Sequence, residues 1–176
     1  MVPKKGVTLT KDNLAKRNWQ GSIKCCLCNS IETIQHLFFN CHFASFIWNT
    51  VLITFGIQSP TSITNMFGSW LHGFDSTLPN QILLGAAALC WAIWLNRNDM
   101  VFNKAKANTF IQVIFRATFW IHQWSMLHNE EKRPFFKEGC RRWDIDCVCF
   151  CEVWLQLHKS YWRLEFPFWH RAHWLS

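Results

Sequence analysis

Three features of the sequence predict an all-α protein in which a short Cys/His-rich knuckle at the N-terminal end packs on a helical bundle. Apolar residues recur at helical spacing over most of the chain, with no sustained alternation of the kind a half-buried strand needs. Half of the 176 residues are hydrophobic and only 16% are charged, and 16 Phe with 12 Trp supply enough bulk for a buried core, which excludes wholesale disorder. Finally, Cys25, Cys26, Cys28 and Cys41 crowd into a stretch too short to build a core of its own.

The elements follow in order. Thr10 before Lys-Asp-Asn-Leu-Ala-Lys-Arg is a helix start with an acid in the first turn, and the helix is expected to run to about Trp19, before Gly21. Cys25 to Glu32 is short and polar. From Thr33 the residues Ile34, Leu37, Phe38, Phe46, Ile47, Val51 and Leu52 suit one or two helices ending near Gly56, with a loop around Pro60. A short helix is expected over Ile63 to His72, then a turn through Gly73 to Pro79. Two longer helices follow, Gln81 to about Val101 and Thr109 to His128, the second with a polar stripe of Thr109, Gln112, Arg116 and Gln123. The short link Lys104 to Asn108 predicts that they pack antiparallel, with Trp91, Trp94, Phe115 and Trp120 buried between them. Asn129 to Pro134 is a charged break, and a last helix is expected from Phe135 to about His158. Cys147, Cys149 and Cys151 alternate with Val148, Phe150 and Val153, so a strand competes with helix there.

Charge is distributed unevenly. The net charge of +7 divides into +5 over residues 1–31, −2 over residues 32–96 and +4 over the remainder. A basic head before a nearly charge-free middle suits an anionic partner in front of a buried body, although a solvated Lys/Arg face accounts for it equally well. No apolar run in the first 20 residues resembles a signal-peptide core, and nine clustered cysteines do not spread like a disulfide framework. The expectation is an intracellular protein of the cytoplasm or nucleus, not a secreted one. Ile82 to Leu95 is the most membrane-like segment, but its fourteen residues fall short of the roughly 20 that span a bilayer, so it reads as a core helix.

The strongest chemical signal is Cys25 and Cys28, then His36, then Cys41, in pattern form C-x2-C-x7-H-x4-C. Zinc prefers four tetrahedral sulfur and nitrogen ligands, and a two-residue gap lets a tight turn present two thiolates to one ion. Two neighbours compete: Cys26 offers a C-x-C pair and His42 offers an alternative imidazole. The common knuckle gap favours Cys25, Cys28, His36 and Cys41, with Zn2+ as the cofactor. Against it stands the plainer possibility of buried thiols that bind no metal.

Thr10 to Gly21, Lys24 to Cys28, Glu32 to Cys41 and Phe43 to Trp48 resemble the zinc-binding domain at the C-terminal end of plant LINE-type retrotransposon reverse transcriptases. Cys90 to Phe102 and Val113 to His122 are similar to the helical tail that follows it in that family, so the resemblance covers about residues 6–142. It implies zinc ligation by Cys25, Cys28, His36 and Cys41 and an origin in a retroelement polyprotein. Met1 to Lys5 stands where the family has an apolar, aromatic helix, and Trp143 to Ser176 matches only loosely, which suits a truncated copy. The expected organisation is a knuckle with its following helix over 1–55, a helical body over 56–142 and a divergent tail over 143–176.

Other chemistries are weaker. Tyr161 is followed by Trp162, Arg163 and Leu164, not by the acidic pair of a polymerase turn. Asp144, Asp146 and Glu152 lack the further acids, brought from several elements, that an RNase H-like metal site needs. The Cys147, Cys149 and Cys151 run lacks a C-x2-C turn and reads as ordinary thiols. His122 and His128 do not share a helix face, and Trp91, Trp94, Trp120 and Trp124 read as core more than as base-stacking platforms. A closed Cys3His site leaves no open position for a substrate, so no catalysis is expected. Two functions remain: contact with RNA or single-stranded DNA through Lys11, Lys16, Arg17 and Lys24, or a structural and protein-interaction module, a degenerate element remnant, that binds no nucleic acid. No membrane partner is expected.

Overall fold

The structure, a computed structural model, describes residues 8–74, 78–104, 106–127 and 130–157. Among these residues six α-helices follow one another: α1 (Lys11–Ala15), α2 (His42–Phe55), α3 (Ile63–Phe67), α4 (Pro79–Phe102), α5 (Phe110–Ser125) and α6 (Arg133–Leu157). A π-helical turn at His36–Asn40 precedes α2, and a 3-10 turn at Glu130–Lys132 precedes α6. Among the described residues, extended pairing is confined to one isolated antiparallel bridge between Lys24 and Ile31. The all-α reading therefore holds, and residues 147–153 continue α6 instead of forming a strand.

The long helices α4 and α5 pack antiparallel, as their pairings show. Asp99 meets Arg116 at 2.8 Å, Trp91 meets Trp120 edge to face, and Gly85 lies beside Ile121. Their connection is held from below by Asn96, whose buried Oδ1 accepts from the main-chain and side-chain N–H groups of Asn108 at 3.0 and 2.9 Å. Thr109 then starts α5 with a reciprocal cap: its Oγ1 accepts from the Gln112 N–H while the Gln112 side chain accepts from the Thr109 N–H. Helix α2 stops at Gly56, which takes a left-handed φ of 69° that residues with a Cβ adopt at a cost.

One core joins these pieces. Leu37, Ala44, Ile47 and Trp48 from the turn and α2 pack with Leu89, Ala92 and Ile93 of α4, Val113, Ile114 and Ala117 of α5, and Phe136, Cys140 and Trp143 of α6. Two buried indoles are satisfied: Trp48 Nε1 donates to the Phe38 carbonyl at 2.8 Å and Trp143 Nε1 to Thr50 Oγ1 at 2.9 Å. Among the described residues no helix is long and apolar enough to cross a membrane.

Several expectations need correction. The first helix ends at Ala15, four residues short of Trp19, because the chain turns there and Asn18 adopts a left-handed φ of 62°. The helix at Ile63 ends at Phe67, with turns from there to Gly73. Trp91 and Phe115 are 38% and 44% exposed, not buried, because α4 and α5 are apolar beyond the strip where they touch; Trp94 and Trp120 are half-buried. Position 142 lies inside α6, and just beyond it Trp143 and Cys147 are core members. His128 and residues 158–176, with Tyr161 and Trp162, lie outside the described residues, as do the side chains of Cys151, Trp154 and Leu155.

Candidate metal centre

The site is built from two local structures. A tight hairpin carries Cys25 and Cys28: the Cys25 N–H donates to the Ser30 carbonyl at 2.8 Å and the Glu32 N–H to the Ile23 carbonyl at 3.0 Å, closing the loop. Within it the Leu27 N–H points at the Cys25 Sγ at 3.4 Å, the amide-to-sulfur contact that a two-residue gap produces.

The π-helical turn carries His36 and Cys41. In an α-helix, residues five apart are separated by about 140° around the axis. Here the Cys41 N–H donates to the His36 carbonyl at 2.7 Å, an i to i+5 bond that winds in one extra residue and returns the two side chains to one side. Cys41 then leaves the turn in extended conformation and becomes the N-cap of α2.

Together these place one ligand atom from each of Cys25, Cys28, His36 and Cys41 within 4.8 Å of one another. His36 Nε2 stands 3.1 Å from Cys28 Sγ, and the Cys28 and Cys41 sulfurs are 3.9 Å apart. Tetrahedral zinc with sulfur ligands at ordinary distances would hold two sulfurs about 3.8 Å apart, so the donor set fits the ion in type, number and spacing. Cys25 and Cys41 are buried while Cys28 and His36 are half-buried. Hydrogen bonds from Cys26 and Cys41 hold the Cys25 thiol well below its ordinary value, and its bond to Cys25 together with burial pushes the Cys41 thiol up.

Of the two neighbours that compete by spacing, neither Cys26 nor His42 belongs to the cluster. Among the described residues it is also the only Cys, His, Asp and Glu group with metal-site geometry, and Asp144 and Asp146 join none. Burial raises the Asp144 carboxyl.

The basic residues are distributed differently from the sequence expectation. Lys11 is buried, and its Nζ donates to the Lys24 carbonyl at 2.6 Å, so it braces the hairpin and is no part of an open basic face. Lys16 is 72% exposed beside Asp12 at 3.6 Å, and Arg17 and Lys24 are exposed.

Residues outside the spacing pattern hold the centre to the body. Glu32 and Arg97 are completely buried, and Glu32 Oε1 accepts from Arg97 Nη2 at 2.6 Å, Arg97 Nε at 3.0 Å and the Lys11 N–H at 2.9 Å. The Arg97 guanidinium also lies over the Trp94 and Phe102 rings, 5.1 and 5.5 Å from their centroids. Sequence reasoning passed over this pair because its members are 65 residues apart; the one signal was an acid and a base at the two ends of a segment otherwise almost without charge.

Residues 3–48 match the model of a family described as zinc-binding in reverse transcriptase. The match contains all four residues of the cluster and concerns a zinc-binding region, not the catalytic domain. No curated protein and no solved structure matches the chain.

Proposed function

We propose that this chain is a non-catalytic zinc-binding domain of plant LINE-type retrotransposon origin, which holds one structural zinc through Cys25, Cys28, His36 and Cys41 and contacts RNA or single-stranded DNA beside it. The observation that carries the zinc reading is the convergence of four ligand atoms within 4.8 Å inside the segment that matches the reverse-transcriptase family. All four positions are filled by protein, so the ion would organise the knuckle and leave no site for a substrate or water. The nucleic-acid reading rests on Lys16, Arg17 and Lys24, which stand exposed on the segments leading into the knuckle. A polyanion is attracted to such a cluster chiefly through its phosphates.

A second reading, a protein-interaction module without nucleic-acid affinity, is favoured by a different face. Trp91, Phe119, Trp120 and Trp124 make a chain of ring contacts along α4 and α5, and Trp91 and Phe119 are exposed. Titrating zinc-loaded protein with single-stranded RNA at several salt concentrations separates the two. The first reading expects affinity to fall as a steep power of salt and the slope to become shallower by roughly one to two when Lys16 and Arg17 are both changed to Gln. Binding that is negligible near physiological ionic strength would leave the interaction module as the better account.

A further inference from the structure

Between α2, α4, α5 and α6 lies a cavity of about 140 Å³, which none of the four cluster residues lines and neither reading above uses. Its lining includes Trp48, Leu89, Ile121, Phe136 and Trp143, with the more exposed Phe55 and Phe135 at its opening. Two helix-interior glycines help to make it. A Cβ added at Gly85 would meet only Ile121 Cδ1, at 3.9 Å, and one added at Gly139 would meet nothing within 4 Å. Neither glycine has a positive φ, so the backbone does not demand them, and each weakens its helix relative to alanine. The space is the room that two absent side chains leave.

One polar group in the lining lacks a partner. Gln81, near the start of α4, belongs to the cavity wall, and its Oε1 is buried with no hydrogen-bond partner among the described residues. The other candidates are engaged: the indole N–H groups of Trp48, Trp70 and Trp143 donate to Phe38, Gln58 and Thr50. Water needs two to four polar partners to settle in such a place and would find one, whereas an apolar cavity of about 150 Å³ stays dry and takes up benzene. An orphaned buried acceptor is unfavourable until a donor reaches it.

We propose that this cavity binds a small molecule consisting of one aromatic ring with a single O–H or N–H donor. The ring occupies the space beside Gly85 and Gly139, and the donor bonds to Gln81 Oε1.

Phenol and toluene, of nearly equal size, are the probes, titrated into the zinc-loaded full chain with binding followed by ligand-detected NMR. Both should bind saturably. Gly139→Leu, which fills the cavity, should weaken both at least ten-fold while the melting temperature holds. If that variant does not fold, Gly85→Val enters the same space from α4 and should give the same loss. Gln81→Leu should lower the phenol-to-toluene affinity ratio about ten-fold, because it removes the acceptor and keeps the apolar wall. Absence of saturable phenol binding to the unaltered protein, affinities unmoved by the cavity-filling variant, or a ratio unmoved by Gln81→Leu would each overturn the proposal.

Discussion

The knuckle over residues 8–41 and the bundle of α2, α4, α5 and α6 are held by different physics. The bundle buries large apolar side chains from four helices in one core. The knuckle has little core of its own: its one regular helix is five residues long, its hairpin contains a single bridge, and its order converges on four ligand atoms and a buried carboxylate. A segment that cannot bury enough surface needs a cross-link, and here the chemistry of the donors makes zinc that cross-link. The comparison teaches that stability and metal content should be separable by mutation in one region and inseparable in the other.

The largest effect should come from the ligands. Cys28→Ala or His36→Ala should abolish stoichiometric zinc and unfold the knuckle, while Cys26→Ala keeps one zinc per chain; metal analysis of purified variants checks this. The same experiment has a thiol readout. A chelator should make the knuckle thiols reactive to a thiol reagent at pH 8, whereas Cys140 stays inert until the bundle unfolds, since burial pushes its thiol up to about 12 and leaves almost no thiolate. A Cys140 that reacted as fast as Cys149, which is exposed, would blur the distinction.

Next come changes confined to the bundle or to its junction with the knuckle. Trp143→Ala removes a buried indole and its bond to Thr50 and should cost about 3–5 kcal/mol in denaturant unfolding, with zinc content unchanged. Arg97→Met leaves Glu32 buried and unpaired and should cost a comparable 3–5 kcal/mol or so. Unlike Trp143→Ala, it should also weaken zinc retention against a chelator, because Glu32 lies between the two ligand pairs and its Oε1 ties α1 to α4. Equal zinc retention in the two variants would show that the junction transmits nothing. The smallest effect is expected for Thr109→Ala, which removes the α5 cap and should cost about 1 kcal/mol without touching the metal.

Much of the site was legible locally. The C-x2-C gap is a property of one turn, and the Gly56 stop of α2 is decided by a few adjacent residues. Local reading erred where a segment's own preference was outweighed. Lys11 looked like part of a basic face because its neighbours are polar, yet the hairpin brings the Lys24 carbonyl to it. Trp91 and Phe115 looked like core because helical spacing marks a face as apolar without saying whether another element covers it.

By itself, then, the sequence determined the helical class, the order of the elements and the set of residues with zinc chemistry, since these depend on side-chain type and on spacings of a few residues. Only the tertiary structure brought Cys25 and Cys41 into one cluster and left Cys26 and His42 outside it, because that depends on how the hairpin aims Cys25 and on a π turn whose extra residue returns Cys41 to the side of His36. It alone joined Glu32 to Arg97 and left a cavity beside Gly85 and Gly139. Both arise from contacts between residues far apart in the chain, and burial, which sets the strength of an ion pair and the emptiness of a void, exists only once those segments have met.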